Sequence, residues 1–378
     1  MIGRLEISLP ALRRNATALA ALVGGRNHAA FVVKANAYGH GAVQTALAVE
    51  ALGTKLCVYA FEEALALREA GITAPILVLG PVPPDALEAA VNAKLELALW
   101  DTKHFAHQLA AAARKRARLA RVHVKINTGL NRLGIEPSDL ADTVEDYVRI
   151  ADIEIAGIFS HLAAAEEIDS PYTMFQLEQF DHACAQAHAA LSTRHFTPTR
   201  HIAASAAAML WPATRLDMTR FGIALYGLWP SPQTREGMAG HGLALEPALS
   251  YRSSLVVTRT IAAGAAVGYG NTFHAPREMR IGIVPLGYAD GIPRALSSRG
   301  AFVVDGIRCP IVGRIAMNMT FVDITHAPRA HVETPVTLIG TDGEANVSAD
   351  DWAHWAETIN YEIVARLPSE LPRVYLTG

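Results

Sequence analysis

Three cysteines in 378 residues, Cys57, Cys184 and Cys309, are too few and too scattered for a disulfide framework. None is paired at metal-ligand spacing, so reduced thiols in a cytoplasmic protein are the expectation. Long apolar runs are missing as well. No window is long enough to span a membrane, and charge interrupts Met1–Glu6 before any leader-like apolar core can form. Basic charge is scarce: the formal net charge is −3. The single basic cluster, Arg114-Lys115-Arg116 with Arg118 and Arg121, ends an Ala-rich helical pattern, where cations suit the helix dipole. Nucleic acid is therefore not an expected partner. Fifteen histidines include none in a His-Glu-x-x-His pattern, and His104, His107, His182 and His188 are scattered along helical segments. No dedicated metal site is expected. Finally, no Gly-x-Gly-x-x-Gly follows the first strand-like run, which leaves an open doubly wound sheet without support.

What is abundant is apolar side chain. Hydrophobic residues make up 51% and charged residues 18%, enough for a large core and too apolar for disorder. Between about 30 and 230, eight β-rich runs alternate with helical patterns. The strand candidates are 30–34, 56–59, 76–79, 95–99, 122–126, 155–159, 200–203 and 218–221. The clearest helical stretches are 42–52, 61–70, 103–116 and 174–191. That alternation predicts an α/β fold with a TIM-type (β/α)8 barrel. The pattern changes near Trp229-Pro230-Ser231-Pro232. Strand-like runs at 254–260, 280–285, 301–304, 320–324 and 336–339 then predict a mainly-β domain with a helix at 349–358.

A barrel places its chemistry at the C-terminal ends of its strands. Lys34 ends the first apolar run and is followed by Ala35-Asn36-Ala37-Tyr38-Gly39-His40-Gly41, small residues and a phenol that let a ligand approach the backbone. Burial lowers a lysine pKa and frees its amine for imine chemistry. Lys125 ends the fifth run, with Asn127, Thr128, Gly129 and Arg132 following it. His161 and Ser205 follow the sixth and seventh, and Arg220, Gly222 and Ile223 close the eighth. Barrels often bind phosphate after strands 7 and 8, where Ser205 offers a hydroxyl and Gly222-Ile223 offer amides. An imine-forming lysine with a phosphate cradle describes pyridoxal phosphate, although phosphosugar aldolases combine the same two parts.

Several longer stretches narrow the choice. The segments Val33–Gly41, Lys125–Gly134, Arg220–Gly227 and Gly287-Tyr288-Ala289-Asp290-Gly291 resemble motifs of the alanine racemase family, in the family's order. So do Gly268-Tyr269-Gly270, Gly313-Arg314 and Ile359-Asn360-Tyr361-Glu362. The resemblance implies a pyridoxal 5'-phosphate enzyme, an isomerase that interconverts L- and D-alanine by two-base proton transfer and supplies D-alanine for peptidoglycan synthesis. It implies an imine at Lys34, with Tyr38, Ser205, Gly222, Ile223 and Tyr361 at the phosphate. Lys34 and Tyr269 would be the two bases on opposite faces, Tyr269 coming from the partner of a homodimer. A phenol is a poor base because its usual pKa is about 10, so His161 and Arg220 would support it. Arg220 would also meet the cofactor's ring nitrogen. As an arginine it donates a hydrogen bond without giving up its proton, which disfavours transamination. Arg132 and Met317 would bind the substrate carboxylate, Arg132 also reaching the cofactor's phenolic oxygen. Lys125 is a candidate for carbamylation; an unmodified lysine paired with a carboxylate is the alternative. The expected division is residues 1–8 as a strand joining the β domain, 9–230 as the cofactor-binding barrel and 235–378 as the β domain.

Three positions depart from the family pattern. Asn127 stands where Asp is usual, Ala204 where Asn is usual, and Met317-Asn318 replaces the common Met-Asp pair. The last removes a negative charge near the substrate site and bears on pocket electrostatics and turnover. Two other readings stay open. A pyridoxal phosphate carrier without catalysis would lack the residues after about 235. A serine-preferring racemase would carry a smaller polar residue than Tyr361.

Overall fold

The computed structural model describes residues 3–100 and 103–377, which fall into two compact units. One comprises Ala11–Ala35 and Ala42–Glu246. The other comprises the chain's start through Pro10, Asn36–Gly41, and the chain from Pro247 onward.

The chain opens with β1 (Gly3–Ser8), which belongs to the second unit. Eight strands then build the first: β2 (Ala29–Val32), β3 (Lys55–Val58), β4 (Ile76–Val78), β5 (Leu95–Leu99), β6 (Ala120–Lys125), β7 (Ile153–Phe159), β8 (Thr199–His201) and β9 (Thr219–Phe221). Neighbours pair in parallel in chain order, and β9 returns to β2. The ring closes between β8 and β9, where the Arg220 amide donates to the Ala203 carbonyl at 3.1 Å and the Asp217 amide to the Arg200 carbonyl at 3.1 Å. This is the expected TIM-type barrel. Its strands are near-continuous apolar runs because helices cover one side and the barrel interior fills the other. The four expected helices form at Ala42–Val49, Phe61–Glu69, Lys103–Lys115 and Tyr172–Ser192. Helices at Leu87–Asn92, Leu140–Val148 and Ser205–Leu210 were not legible in the pattern, being too short for a clear helical period.

In the second unit β1 lies between β10 (Leu249–Ser254), antiparallel to it, and the last strand, Arg373–Leu376, parallel to it. The same sheet continues through 335–342 to 301–304 and 307–310. A separate three-stranded sheet joins 257–261, 279–284 and 320–323. The single strand expected at 254–260 is thus the junction of two strands in different sheets. The chain changes sheet at Leu255 and Val256, whose amides donate to Thr334 and to Ile283. Asp305-Gly306 makes a two-residue hairpin with φ of 53° and 72°, the mirror-image turn that suits twisted strands. No described helix is long and apolar enough to cross a membrane.

Candidate active site

Among the apolar barrel strands, six buried or half-buried polar side chains stand out: Lys55, Glu96, His123, Lys125, His201 and Arg220 are each under 9% exposed. Lys125 and Arg220 gather with Lys34, His161 and Arg132 at the strands' C-terminal ends. Lys125 closes β6 and Lys34 follows β2 by two residues. The groups that act on the Lys125 amine are the cations Arg132, Arg220 and Lys34, with no carboxylate among them. Instead Lys125 Nζ and the Arg220 guanidinium lie 5.6 and 5.4 Å from the centre of the Phe159 ring, a weak but favourable placement for two cations.

So many cations in one place depress one another. Burial, then the Arg132 cation, holds the Lys34 amine below the ordinary lysine range, with Arg220 adding to the effect and Glu63 opposing it. Burial followed by Arg132, Arg220 and Lys34 takes Lys125 down to about 8. Burial and the same cations take His161 down to about 3, so its imidazole is neutral at physiological pH. Burial also lowers Arg220, to about 10, which leaves it protonated at neutral pH.

Arg220 is anchored on every side. Its Nη1 donates to the His201 carbonyl at 3.1 Å and meets His201 Nδ1 at 2.7 Å. Its Nη2 donates to the carbonyls of Ser160 at 2.8 Å and Ile202 at 3.2 Å, with His161 Nδ1 at 3.3 Å. Those bonds engage both Nη groups and leave Nε–H as the donor directed elsewhere. Beside it, buried Ser205 opens the helix Ser205–Leu210, and its hydroxyl accepts the Gly222 amide at 3.1 Å. Ile223 begins the helical turn 223–226, whose first amides have no partner within the turn. Asn127 organises the loop after β6: its Oδ1 accepts the Asn131 amide at 2.9 Å, and its Nδ2 donates to Asn131 and Glu136. An aspartate could not make the last two bonds. Ala204 is half-buried just ahead of Ser205, with no side chain to reach a ligand.

The lysine-bearing turn holds a feature the sequence did not announce. Ala35, Asn36, Ala37 and Tyr38 all have φ between 51° and 54°, one turn of left-handed helix. Each non-glycine residue there costs roughly 1–2 kcal/mol, so surrounding bonds must hold it. One is Glu63, whose Oε1 accepts the Ala35 amide at 2.6 Å while Oε2 accepts those of Tyr59 at 2.9 Å and Ala60 at 3.1 Å. Glu63 therefore starts its own helix and fixes the residue after Lys34. Sequence reading missed it because its only mark is a glutamate in a helix's first turn.

The remaining expected residues lie in the second unit. Tyr38 and Tyr361 meet there, ring centres 6.3 Å apart. Gly39, just beyond, packs so closely on the Val364 carbonyl that no side chain fits, and Arg373 Nε donates to its carbonyl at 2.9 Å. Tyr269 is 72% exposed, presented on a turn between Gly268 and Gly270, both with φ near 75°. The Arg314 guanidinium lies against Gly270, within 2.9 Å of where a Cβ would stand. Met317, also exposed, sits in a loop whose carbonyl accepts the Ala289 amide at 2.9 Å. Asp290 ties this loop down, accepting the Gly287 amide at 2.8 Å and Asn318 Nδ2 at 3.3 Å. An aspartate at 318 would put two carboxylates together there, so Asn318 and Asp290 are mutually consistent. No group of three or more metal-ligating side chains is found among the described residues.

Comparison with known proteins places both halves. The alanine racemase N-terminal domain model matches residues 7–230 and the C-terminal domain model residues 248–375. An alanine racemase of Symbiobacterium thermophilum is 40% identical over 98% of this chain and 96% of its own length. The crystal structure of alanine racemase from Streptomyces lavendulae superposes with a TM-score of 0.92 at 37% identity, covering 100% of this chain and 98% of that one. That of Bartonella henselae, with covalently bound pyridoxal phosphate, has a TM-score of 0.86 at 27% identity and covers both chains fully. Two family models that together span nearly the whole chain, and full-length similarity of sequence and fold to these enzymes, make this chain a member of the alanine racemase family, an isomerase.

Proposed function

We propose that the chain interconverts L- and D-alanine with pyridoxal 5'-phosphate, as a homodimer in which each site draws on both copies. The observation that carries this is the Lys34 amine, held below the ordinary lysine range beside a buried arginine whose Nη groups are fully engaged. The donor set fits the cofactor: an amine able to form an imine, a hydroxyl with helix-start amides for a dianionic phosphate, and one remaining Nε–H for a ring nitrogen. When bound, pyridoxal phosphate supplies an electron sink that makes the α-hydrogen of an amino acid removable.

The chain's residues do the rest. Ser205, Gly222, Ile223, Tyr38 and Tyr361 hold the phosphate. Arg220 donates to the ring nitrogen and keeps its own proton, which limits the sink and steers away from transamination. Arg132 and the Met317 amide of the second copy orient the substrate carboxylate. Lys34 Nζ moves a proton on one face, and the Tyr269 hydroxyl of the second copy on the other. His161, neutral and accepting from Arg220 at Nδ1, keeps its proton on Nε2 and can donate it to that hydroxyl's oxygen, which together with the Arg220 charge behind it favours the phenolate. Lys125, as a carbamate, would turn a repelled cation into an anion that orients Arg132. Tyr361 narrows the pocket and favours alanine over serine. The enzyme would act in the cytoplasm, supplying D-alanine for peptidoglycan. The carrier reading is disfavoured because the chain has a whole second unit from Pro247 onward.

The test is an assay of enantiomer interconversion with alanine and with serine in deuterated water, on the native chain and Lys34→Ala. Deuterium entering the α-position of both alanine enantiomers, lost in Lys34→Ala along with the cofactor's visible absorbance, supports the proposal. Cofactor bound with no exchange in either amino acid would revive the carrier.

A further inference from the structure

Behind Arg220 a line of buried polar side chains crosses the barrel toward the N-terminal ends of its strands. His201 Nδ1 meets Arg220 Nη1 at 2.7 Å, and His201 Nε2 meets His123 Nδ1 at 2.8 Å. His123 Nε2 then meets Glu96 Oε2 at 2.8 Å. Lys55 Nζ bonds the same carboxylate oxygen at 2.5 Å. Both imidazoles are wholly buried, and Glu96 and Lys55 are 5% and 8% exposed.

We propose that Glu96, His123 and His201 form a positioning relay that fixes Arg220, with both imidazoles neutral and protonated on Nε2. The assignment follows from donor and acceptor capacity, because arginine has five N–H donors and no acceptor. His201 Nδ1 must therefore accept, so its proton is on Nε2 and points at His123. His123 Nδ1 must then accept in turn, and its own Nε2–H donates to Glu96, which can only accept. The reverse order would let Lys55 Nζ, 3.3 Å from His123 Nε2, donate to that ring. It would also face an imidazole N–H against an arginine N–H across 2.7 Å, and it leaves Lys55 no gain over the bond it already makes to Glu96. Protonating either ring creates the same donor–donor conflict. Consistently, burial keeps His123 down at about 4, burial and then Arg220 hold His201 well below the usual imidazole range, and the His123 bond and Lys55 overcome burial to take Glu96 down to about 2.

The consequence rests on the proposed contact between Arg220 and the cofactor's ring nitrogen. An arginine held by two neutral imidazole acceptors and three carbonyls stays fully cationic, and its Nε–H keeps one direction. The relay also sets how strongly Arg220 donates, since a carboxylate at its far end polarises each bond in line.

The test begins with the full-length chain selectively labelled with 15N-histidine, with and without pyridoxal phosphate. Resonances are assigned by their loss in His123→Gln and His201→Gln. Both rings are expected as neutral Nε2–H tautomers from pH 6 to 8.5. An Nδ1–H tautomer or an imidazolium at either position overturns the relay, even if Lys34 still binds cofactor. Conversely, loss of the cofactor reading would leave these tautomers in place, so the two failures are distinguishable. The second measurement uses Glu96→Gln, which keeps volume and an acceptor, paired with Lys55→Met to avoid a stranded charge. A 10-fold or larger fall in kcat at unchanged KM for alanine, with a shifted 15N resonance of ring-labelled pyridoxal phosphate, supports the relay. An unmoved ring-nitrogen resonance in a folded double variant refutes it.

Discussion

Removing the Glu63 carboxylate tests whether the Lys34 turn is held from outside. Glu63 accepts three backbone amides, those of Ala35, Tyr59 and Ala60, at 2.6, 2.9 and 3.1 Å. The carboxylate is partly in water, so each bond contributes about 1 kcal/mol rather than the 1.5–3 kcal/mol of a buried charged one. Glu63→Ala should therefore destabilise the protein by about 3 kcal/mol. Glu63→Gln, which retains one acceptor oxygen, should cost about half of that. At about 2–4 °C per kcal/mol the alanine variant should melt roughly 6–12 °C lower. A second effect has its own sign. Glu63 raises the Lys34 pKa against burial and the nearby arginines, so losing it lowers that pKa further. The free amine at a fixed pH then increases although the fold is weaker. The chain has six lysines, so 15N-lysine NMR on cofactor-free protein can follow Lys34 alone. A melting point within 1 °C of native in Glu63→Ala, or a Lys34 midpoint that stays or rises in both variants, would refute the reasoning.

Lys125 should take up 13C-labelled CO2 as a carbamate, and the labelled signal should grow as pH rises through about 8, because only the free amine reacts. Uptake that ignores pH, or is unchanged in Lys125→Ala, would contradict the assignment. Tyr269→Phe should slow α-proton removal from one alanine enantiomer at least 100-fold more than from the other, read as isotope wash-out from each. Equal, small losses would remove Tyr269 as a base. Arg220→Glu should raise the yield of pyridoxamine phosphate several-fold, measured by chromatography after prolonged turnover; none formed would undo the ring-nitrogen argument.

Much of the rim was legible because its residues are neighbours in the chain or recur at strand ends. Lys34, Lys125, Ser205 and Arg220 each follow or close an apolar run, and a barrel turns that position into a shared rim. Other features left no such mark. Glu63 reaches Ala35 from 28 residues away. Glu96, His123 and His201 each read as one polar residue in an apolar strand, separated from their partners by 27, 78 and 19 residues. The left-handed turn at Ala35–Tyr38 was hidden because alanine and tyrosine do not favour that conformation on their own.

By itself, then, the sequence determined the alternation of strands and helices, the lysine that follows the first barrel strand and the glycines around Tyr269, since apolar period and turn chemistry are local. Only the tertiary structure decided which polar side chains meet inside the barrel and that burial beside arginines depresses Lys34 and Lys125. Those depend on closing the sheet between β8 and β9, which brings distant strands together and removes the water that would otherwise screen their charges.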